Sequence, residues 1–498
     1  MNIREAKEEI KRTVRAYLAR DPETGERLIP SERQRPVLMI GAPGIGKTAV
    51  MRQIAEEMGI GLVSYTITHH TRQSAIGLPF IAKKTYGGEE HTVTEYTMSE
   101  IVASVYDQIE RSGREEGILF LDEINCVSET LFPTMLQFLQ YKTFGSHKVP
   151  AGYVIVTAGN PPEFNRSVRD FDIVTLDRVK KLEIEADYDV WKEYALGNGV
   201  HGAVISYLNI HKTHFSQVVN DADGRRFVTP RSWVDLSDSL RVYERIGETI
   251  GEDFVGSFLQ DPEIARSFTI YYELWNRYRS VYHVPEILEG QIPDGSEALR
   301  EAPFDEKLSL IGLLVSALNQ AFTASEEALE AQRVVFALVK EARSLLTSGE
   351  MKSVSQALTS LVNRESEQLG KDEEAGRVSR AKARTTRLAL ARLKEMAKTC
   401  AAAGDGMADL KAAFTASEEA RQAEDAHTGD MLTHAFSFMT RVFGEGQELV
   451  MFLSELSKGY YSMKFVDSHG NEAFYKYNKL LLLSDRRQGL RDELMEMV

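Results

Sequence analysis

The sequence predicts an α/β fold: a parallel five-stranded sheet with helices on both faces, then a helical lid and a mostly α-helical C-terminal region. Three observations predict it. A glycine-rich turn, Gly41-Ala42-Pro43-Gly44-Ile45-Gly46-Lys47-Thr48, lies between an apolar run and a helical pattern. Short apolar segments alternate with helical ones from Val37 to about Ile184, and such alternation means a parallel sheet covered by helices. Beyond Tyr188 the alternation stops and helical spacing takes over.

Each element follows from its residues. Ile3, Ala6, Ile10, Val14 and Leu18 recur at helical spacing in a charged stretch without the apolar core of a signal peptide, so the spacing predicts an amphipathic helix. Val37–Ile40 reads as a buried strand. The turn after it fits G-x-x-x-x-G-K-[ST], whose backbone N–H groups point at a phosphate. Gly41, Pro43, Gly44, Ile45, Gly46, Lys47, Thr48 and Ala49 make up this cradle. Lys47 would reach the β- and γ-phosphates, and the Thr48 hydroxyl would hold Mg²⁺. Lys47–Met58 reads as a helix closed by Gly59, with its N-terminus toward the anion.

Further strands are expected at Gly61–Thr66, Gly117–Leu121, Tyr153–Ala158 and Leu182–Ile184. Gly87-Gly88, inside the interval Thr68–Ser99, signals one hairpin. Lys142–Pro150, around Gly145, signals another. Gly197-Asn198-Gly199 and Asn220–Arg225 read as breaks between helices. Tyr460–Tyr477 reads as a late hairpin around Asp467–Asn471. The octapeptide AFTASEEA occurs at Ala321–Ala328 and Ala413–Ala420, and its T-x-x-E reads as a helix start in both places. The expected division is a core at 1–187, a lid at 188–290 and a C-terminal region at 291–498.

Composition narrows the function. With 498 residues, 43% apolar and 27% charged, the chain is long enough for several globular domains. A net charge of -15 disfavours general affinity for nucleic acid or anionic membrane. Two distant cysteines, Cys126 and Cys400, exclude a disulfide framework and a zinc cluster, and fit a reducing cytoplasm. The most apolar run, Leu308–Leu318, is shorter than the roughly 20 residues a bilayer needs.

The chemistry needs more than a phosphate cradle. Gly117-Ile118-Leu119-Phe120-Leu121-Asp122-Glu123 is an apolar strand ending in two acids. Asp122 would serve the metal and Glu123 would polarise the attacking water, since one carboxylate cannot do both. Asn160, just past the strand Tyr153–Ala158, offers an amide to hold that water. His69-His70 would need a third ligand to bind a metal, and none is evident.

This order of motifs resembles the AAA+ ATPases and, within them, the MoxR-like group. Asp122-Glu123-Ile124-Asn125, Leu176-Asp177-Arg178 and Thr229-Pro230-Arg231-Ser232 carry the likeness, which spans about Met1–Gly290. It implies ATP with Mg²⁺ between core and lid, Arg231 contacting the nucleotide in cis, and Arg178 reaching a neighbouring subunit's site. Arg166 and Arg169 lie close enough to be that trans residue instead. Thr229 as N-cap and Pro230 at the first helical position independently put Arg231 in a first turn, where an anion is a natural partner. The resemblance further implies a homo-oligomeric ring, a hexamer. Its work would be remodelling or maturing a protein substrate, often with an adaptor bearing a von Willebrand factor A domain. The two hairpins would face the substrate. Cys126-Val127-Ser128 departs from the basic and small residues often found there.

Two other functions fit the same motifs. One is a nucleic-acid motor or restriction-type NTPase, with Lys83, Lys84, Tyr86, Lys142 and Lys148 on the hairpins as contacts. The other is a slow nucleotide-gated scaffold. The P-loop does not separate ATP from GTP. In the last region Arg377, Arg380, Lys382, Arg384, Arg387, Arg392, Lys394 and Lys398 concentrate positive charge. They read as a solvated helix face pairing with the acids at Glu418–Asp425.

Overall fold

Apolar strands pair in parallel at the centre of the fold. The computed structural model describes residues 1–69, 77–129, 131–144, 147–162, 164, 171–221, 224–293, 296–374 and 378–479. Its strands are Val37–Gly41 (β1), Gly61–Thr66 (β2), Pro79–Tyr86 (β3), Glu89–Tyr96 (β4), Gly117–Asp122 (β5), Thr143–Phe144 (β6), His147–Lys148 (β7), Tyr153–Gly159 (β8), Lys180–Ile184 (β9), Gln217–Asp221 (β10) and Gly224–Val228 (β11). Five of them form the sheet in the order β2-β5-β8-β1-β9. All four pairings are parallel, with Val37 opposite both Val156 and Lys180, and Leu119 opposite both Val63 and Ile155.

The helices in chain order are Ile3–Leu18 (α1), Lys47–Met58 (α2), Glu100–Ser112 (α3), Phe132–Tyr141 (α4), Ile173–Leu176 (α5), Tyr188–Gly197 (α6), Gly202–Ile210 (α7), Pro230–Ile246 (α8), Glu252–Gly256 (α9), Pro262–Val281 (α10), Val284–Leu288 (α11), Phe304–Thr347 (α12), Val354–Glu374 (α13), Arg380–Ala403 (α14), Met407–Phe443 (α15), Gln447–Lys458 (α16) and Tyr460–His469 (α17). The chain divides into two compact units. One joins Met1–Trp191 with Lys212–Leu236 and Ser257–Pro262. The other joins Lys192–His211, Ser237–Gly256 and Glu263–Val498.

In the first unit, alternate strand residues face opposite sides of the sheet, as the period of two requires. Val37, Met39, Ile118, Phe120, Val154 and Val156 pack on α1 and α2 through Ile10, Val14, Met51 and Ile54. Leu38, Leu119, Leu121 and Ile155 pack on α3 and α4 through Ile101, Val105, Met135 and Phe138. The expected strands all form, each within two residues of its predicted ends. Both insertion hairpins also form, as β3–β4 and β6–β7, with residues 145–146 outside the described set. Phe138 stacks on Phe144 at 4.0 Å, anchoring the second hairpin to the core.

In the second unit, α12 is a long core helix. Ala331, Val335, Leu338 and Ala342 meet Leu358, Leu361, Leu390, Leu393 and Leu410 from α13, α14 and α15. Glu306–Thr347 is long and apolar enough to cross a membrane by length and composition, but 56% of its most apolar window is buried inside the fold. A core helix gives that pattern.

Four expectations are corrected. Tyr460–Tyr477 is not a hairpin: α17 runs to His469, Gly470 breaks it at φ 73, and helix resumes at Glu472. Amphipathic packing decides this, since Phe465, Val466 and Phe474 are buried. Both AFTASEEA copies lie inside long helices, α12 and α15. The first threonine bonds back to the preceding turn, Thr323 Oγ1 to Asn319 O at 2.7 Å, and does not cap. The Asn220–Arg225 break falls in an antiparallel hairpin, β10–β11. Finally, the basic stretch on α14 pairs with other acids than expected. Arg384 bonds Glu327 and Arg387 bonds Glu373, whereas Glu418 and Asp425 are taken by Arg421. Glu418 and Asp425 are already committed to Arg421 within their own helix. Arg377 and the Arg380 side chain lie outside the described residues.

Candidate nucleotide site

The site is built at the carboxyl ends of β1, β5 and β8, where parallel α/β sheets place ligands. β1 ends at Gly41, and the chain turns through Gly44 (φ 81) and Gly46 (φ 95) into α2. Ile45 points into the core, and Ala42, Pro43, Gly44 and Gly46 around it are half-buried. Thr48 and Ala49 face outward at the helix start. Lys47 is buried, and its ammonium spends all three hydrogens: on Gly41 O at 2.7 Å, Ala42 O at 2.8 Å and Asn160 Oδ1 at 3.0 Å. Burial, the chief cause, pushes this ammonium down to about 8; Asp122 and Glu123 work against that and Arg231 adds to it.

The two acids are placed differently. Asp122 ends β5, and Thr48 Oγ1 donates to its Oδ2 at 2.8 Å while the Glu123 N–H donates to its Oδ1 at 3.0 Å. Glu123 turns the chain with φ 58, in the left-handed region. Its Oε2 accepts from Thr68 Oγ1 at 3.0 Å. Asn160 follows β8 and turns its side chain to Lys47. The fold thus brings Lys47, Thr48, Asp122, Glu123 and Asn160 to one end of the sheet.

Arg231 also reaches this site. Thr229 caps α8: its Oγ1 accepts from the Ser232 N–H at 3.3 Å, and Ser232 Oγ accepts from the Thr229 N–H at 2.9 Å. The next turn is held by Trp233, fully buried with its Nε1–H on His214 O at 3.1 Å. That anchoring seats Arg231 on the phosphate loop. A Cβ built on Gly44 would stand 2.9 Å from Arg231 Cβ. The Arg231 side chain is exposed.

Arg178 is exposed and forms no salt bridge among the described residues; Asp177 pairs with Arg35 at 3.8 Å. Arg166, Arg169 and His70 lie outside the described residues. A cleft of about 1160 Å³ opens beside Gly41 and Ala42, bordered by Asn160, Ile184, Tyr188 and Phe215.

Two contributors escaped the sequence reading. Thr68 holds Glu123 from the end of β2, and Asn125 bonds the Asn160 backbone. Thr68 gave a faint signal, a polar residue just past an apolar strand. Asn125 was visible only as part of a motif.

Residues 36–179 match the AAA domain (dynein-related subfamily). The chain carries an AAA+ ATPase domain. The match covers β1, β2, β5 and β8 of the parallel sheet together with Lys47, Asp122 and Asn160, and it leaves residues 1–35 and 180–498, β9 among them, outside. No curated protein matches the chain at a significant level.

Proposed function

We propose that this protein is a Mg²⁺-dependent ATPase of the MoxR-like AAA+ type that works as a ring, a hexamer. Hydrolysis would drive remodelling or maturation of a protein partner in the cytoplasm, with an adaptor bearing a von Willebrand factor A domain as one form of that partner. In this reading residues 1–187 are the core, 188–290 the lid and 291–498 the partner-specific region. The observation that carries it is the convergence of a desolvated lysine, a hydroxyl–carboxylate pair, a second carboxylate and an amide at the carboxyl ends of the central strands.

Each group has a task that its geometry supports. Lys47 gives its hydrogens to two loop carbonyls and an amide, and it would exchange them for phosphate oxygens. Thr48 and Asp122 present hard oxygens 2.8 Å apart, the donor set Mg²⁺ prefers. No cluster of three His, Cys, Asp or Glu is placed to hold a metal among the described residues, so the ion's other ligands would be phosphate and water. When bound, Mg²⁺ neutralises charge on the phosphates. Glu123 is the group to accept a proton from water, and Asn160 the group to orient that water. Arg231, seated on the loop, would contact the nucleotide in cis. Arg178, exposed and without a salt bridge among the described residues, would act in trans.

The hairpin lysines speak against the nucleic-acid alternative. Lys83 pairs with Glu90, Lys84 with Glu95 and Lys148 with Glu32, while Lys142 is buried. The deciding experiment measures ATPase rate against protein concentration, with mass alongside, for wild type, Glu123→Gln and Arg178→Ala. Specific activity should rise with assembly. Glu123→Gln should bind ATP but lose about a hundredfold or more in rate. Arg178→Ala should assemble and stop turning over. Activity that is flat with concentration and indifferent to Arg178 refutes the trans assignment. DNA-stimulated turnover would favour the motor.

A further inference from the structure

We infer that Asn125 is a positioning residue that fixes the distance between Glu123 and Asn160, and so between the proton acceptor and the amide that orients the water. The inference rests on the hydrolytic reading above.

The β5–β8 ladder stops at Leu121 opposite Thr157. Past that point the Ile124 N–H still bonds Ala158 O at 2.9 Å. The next rung is made by a side chain. Asn125 Nδ2 donates to Asn160 O at 2.8 Å, and Asn125 Oδ1 accepts from the Asn160 N–H at 3.3 Å. A primary amide carries the same donor and acceptor as a peptide group, so Asn125 extends the sheet by one pairing. It does so from the interior, at 3% exposure.

Space confirms the fit. A Cβ on Gly159 would stand 2.6 Å from Asn125 Oδ1 and 2.8 Å from its Cγ, so only glycine lets the amide close on Asn160. The clamp acts on both ends of the reaction. Asn160 is the residue whose Oδ1 meets Lys47, and Asn125 sits two residues after Glu123, whose left-handed φ of 58 needs holding. Pro161 follows Asn160 and supplies no N–H of its own to a ladder. Asn125 therefore sets a spacing that the backbone pairing leaves open.

The test uses the full chain with ATP and Mg²⁺. Steady-state kcat and KM are measured for wild type, Asn125→Ala, Asn160→Ala and the double variant, with affinity for a fluorescent ATP analogue and thermal midpoint alongside. Asn125→Ala should lower kcat by about tenfold with KM and affinity within about twofold. The double variant should be no slower than Asn160→Ala, because both remove one function. Losses that multiply, or affinity that falls in step with kcat, overturn the inference. Should Asn125→Ala not fold, Asn125→Asp keeps the size and the acceptor but sets a carboxylate against Asn160 O. It should show the same kcat loss, and full activity in it overturns the inference. A wild type that binds the analogue yet turns over no faster than Glu123→Gln refutes the hydrolytic reading itself, and this inference with it.

Discussion

Replacing Gly44 by alanine should damage the nucleotide site far more than the same change at Gly46, two residues on. Both glycines sit at positive φ, 81 and 95. A side chain there costs about 1–2 kcal/mol at either position. The surroundings differ. A Cβ on Gly46 meets nothing within 4 Å, whereas on Gly44 it meets Arg231 Cβ at 2.9 Å, Arg231 N at 3.1 Å and Thr229 Oγ1 at 3.3 Å. Overpacking of this kind adds about 1–3 kcal/mol. Gly44→Ala should therefore cost about 2–5 kcal/mol and Gly46→Ala about 1–2. If the strain is relieved by pushing the α8 start off the loop, affinity for a non-hydrolysable fluorescent ATP analogue should fall about five- to hundredfold further in Gly44→Ala than in Gly46→Ala. Adding Arg231→Gly should recover part of the loss in the Gly44→Ala background and none in the Gly46→Ala background. Equal losses in the two single variants, or equal response to Arg231→Gly, would refute the claim that Arg231 is seated on the phosphate loop.

Two further predictions concern stability. In the second unit Asp425 is 4% exposed and is held by Arg421, by Ser325 Oγ at 2.5 Å and by His469 at 3.3 Å. Asp425→Ala removes one of the two carboxylates on the buried Arg421 guanidinium, which keeps Glu418, and should cost about 1–3 kcal/mol in urea unfolding; a loss below about 0.5 would mean the cluster is solvated. Lys142 lies buried on Gln34 Oε1 at 3.2 Å, and burial pushes its ammonium down to about 8 from 10.5. The unfolded chain thus binds the extra proton between those values, so wild-type stability gains as pH rises from 8 to 10.5, and the cost of about 3 kcal/mol is fully present below 8. Lys142→Met should be the more stable protein at pH 7, by about 2 kcal/mol after the lost Gln34 bond. That advantage should shrink toward pH 10; a gap that stays constant with pH would refute it.

The first unit was legible because its signals are local. A strand announces itself by an apolar run, and the P-loop by a fixed glycine spacing around Lys47. The alternation of Val37, Met39 against Leu38 already assigns faces to the sheet. The caps of α8 could be read directly from Thr229 and Pro230. Where local signals conflict with packing they fail. Thr323 and its neighbours look like a helix start, yet the apolar spacing on either side continues the helix through them. Tyr460–Tyr477 has hairpin residues, but buried Phe465 and Phe474 make a helical face worth more than a two-stranded ribbon.

By itself, then, the sequence located the sheet strands and the phosphate loop, and it singled out Lys47 and Thr48 by the glycine spacing before a helix and Asp122, Glu123 and Asn160 by the strand ends they sit at or just beyond. Only the tertiary structure decided what those residues touch. Thr68 on Glu123, Asn125 on Asn160 and Gly44 under Arg231 are contacts across 55, 35 and 187 positions of chain. Which acids the α14 arginines find is decided the same way. Such distances close only when separate strands and helices pack, and no spacing along the chain encodes them.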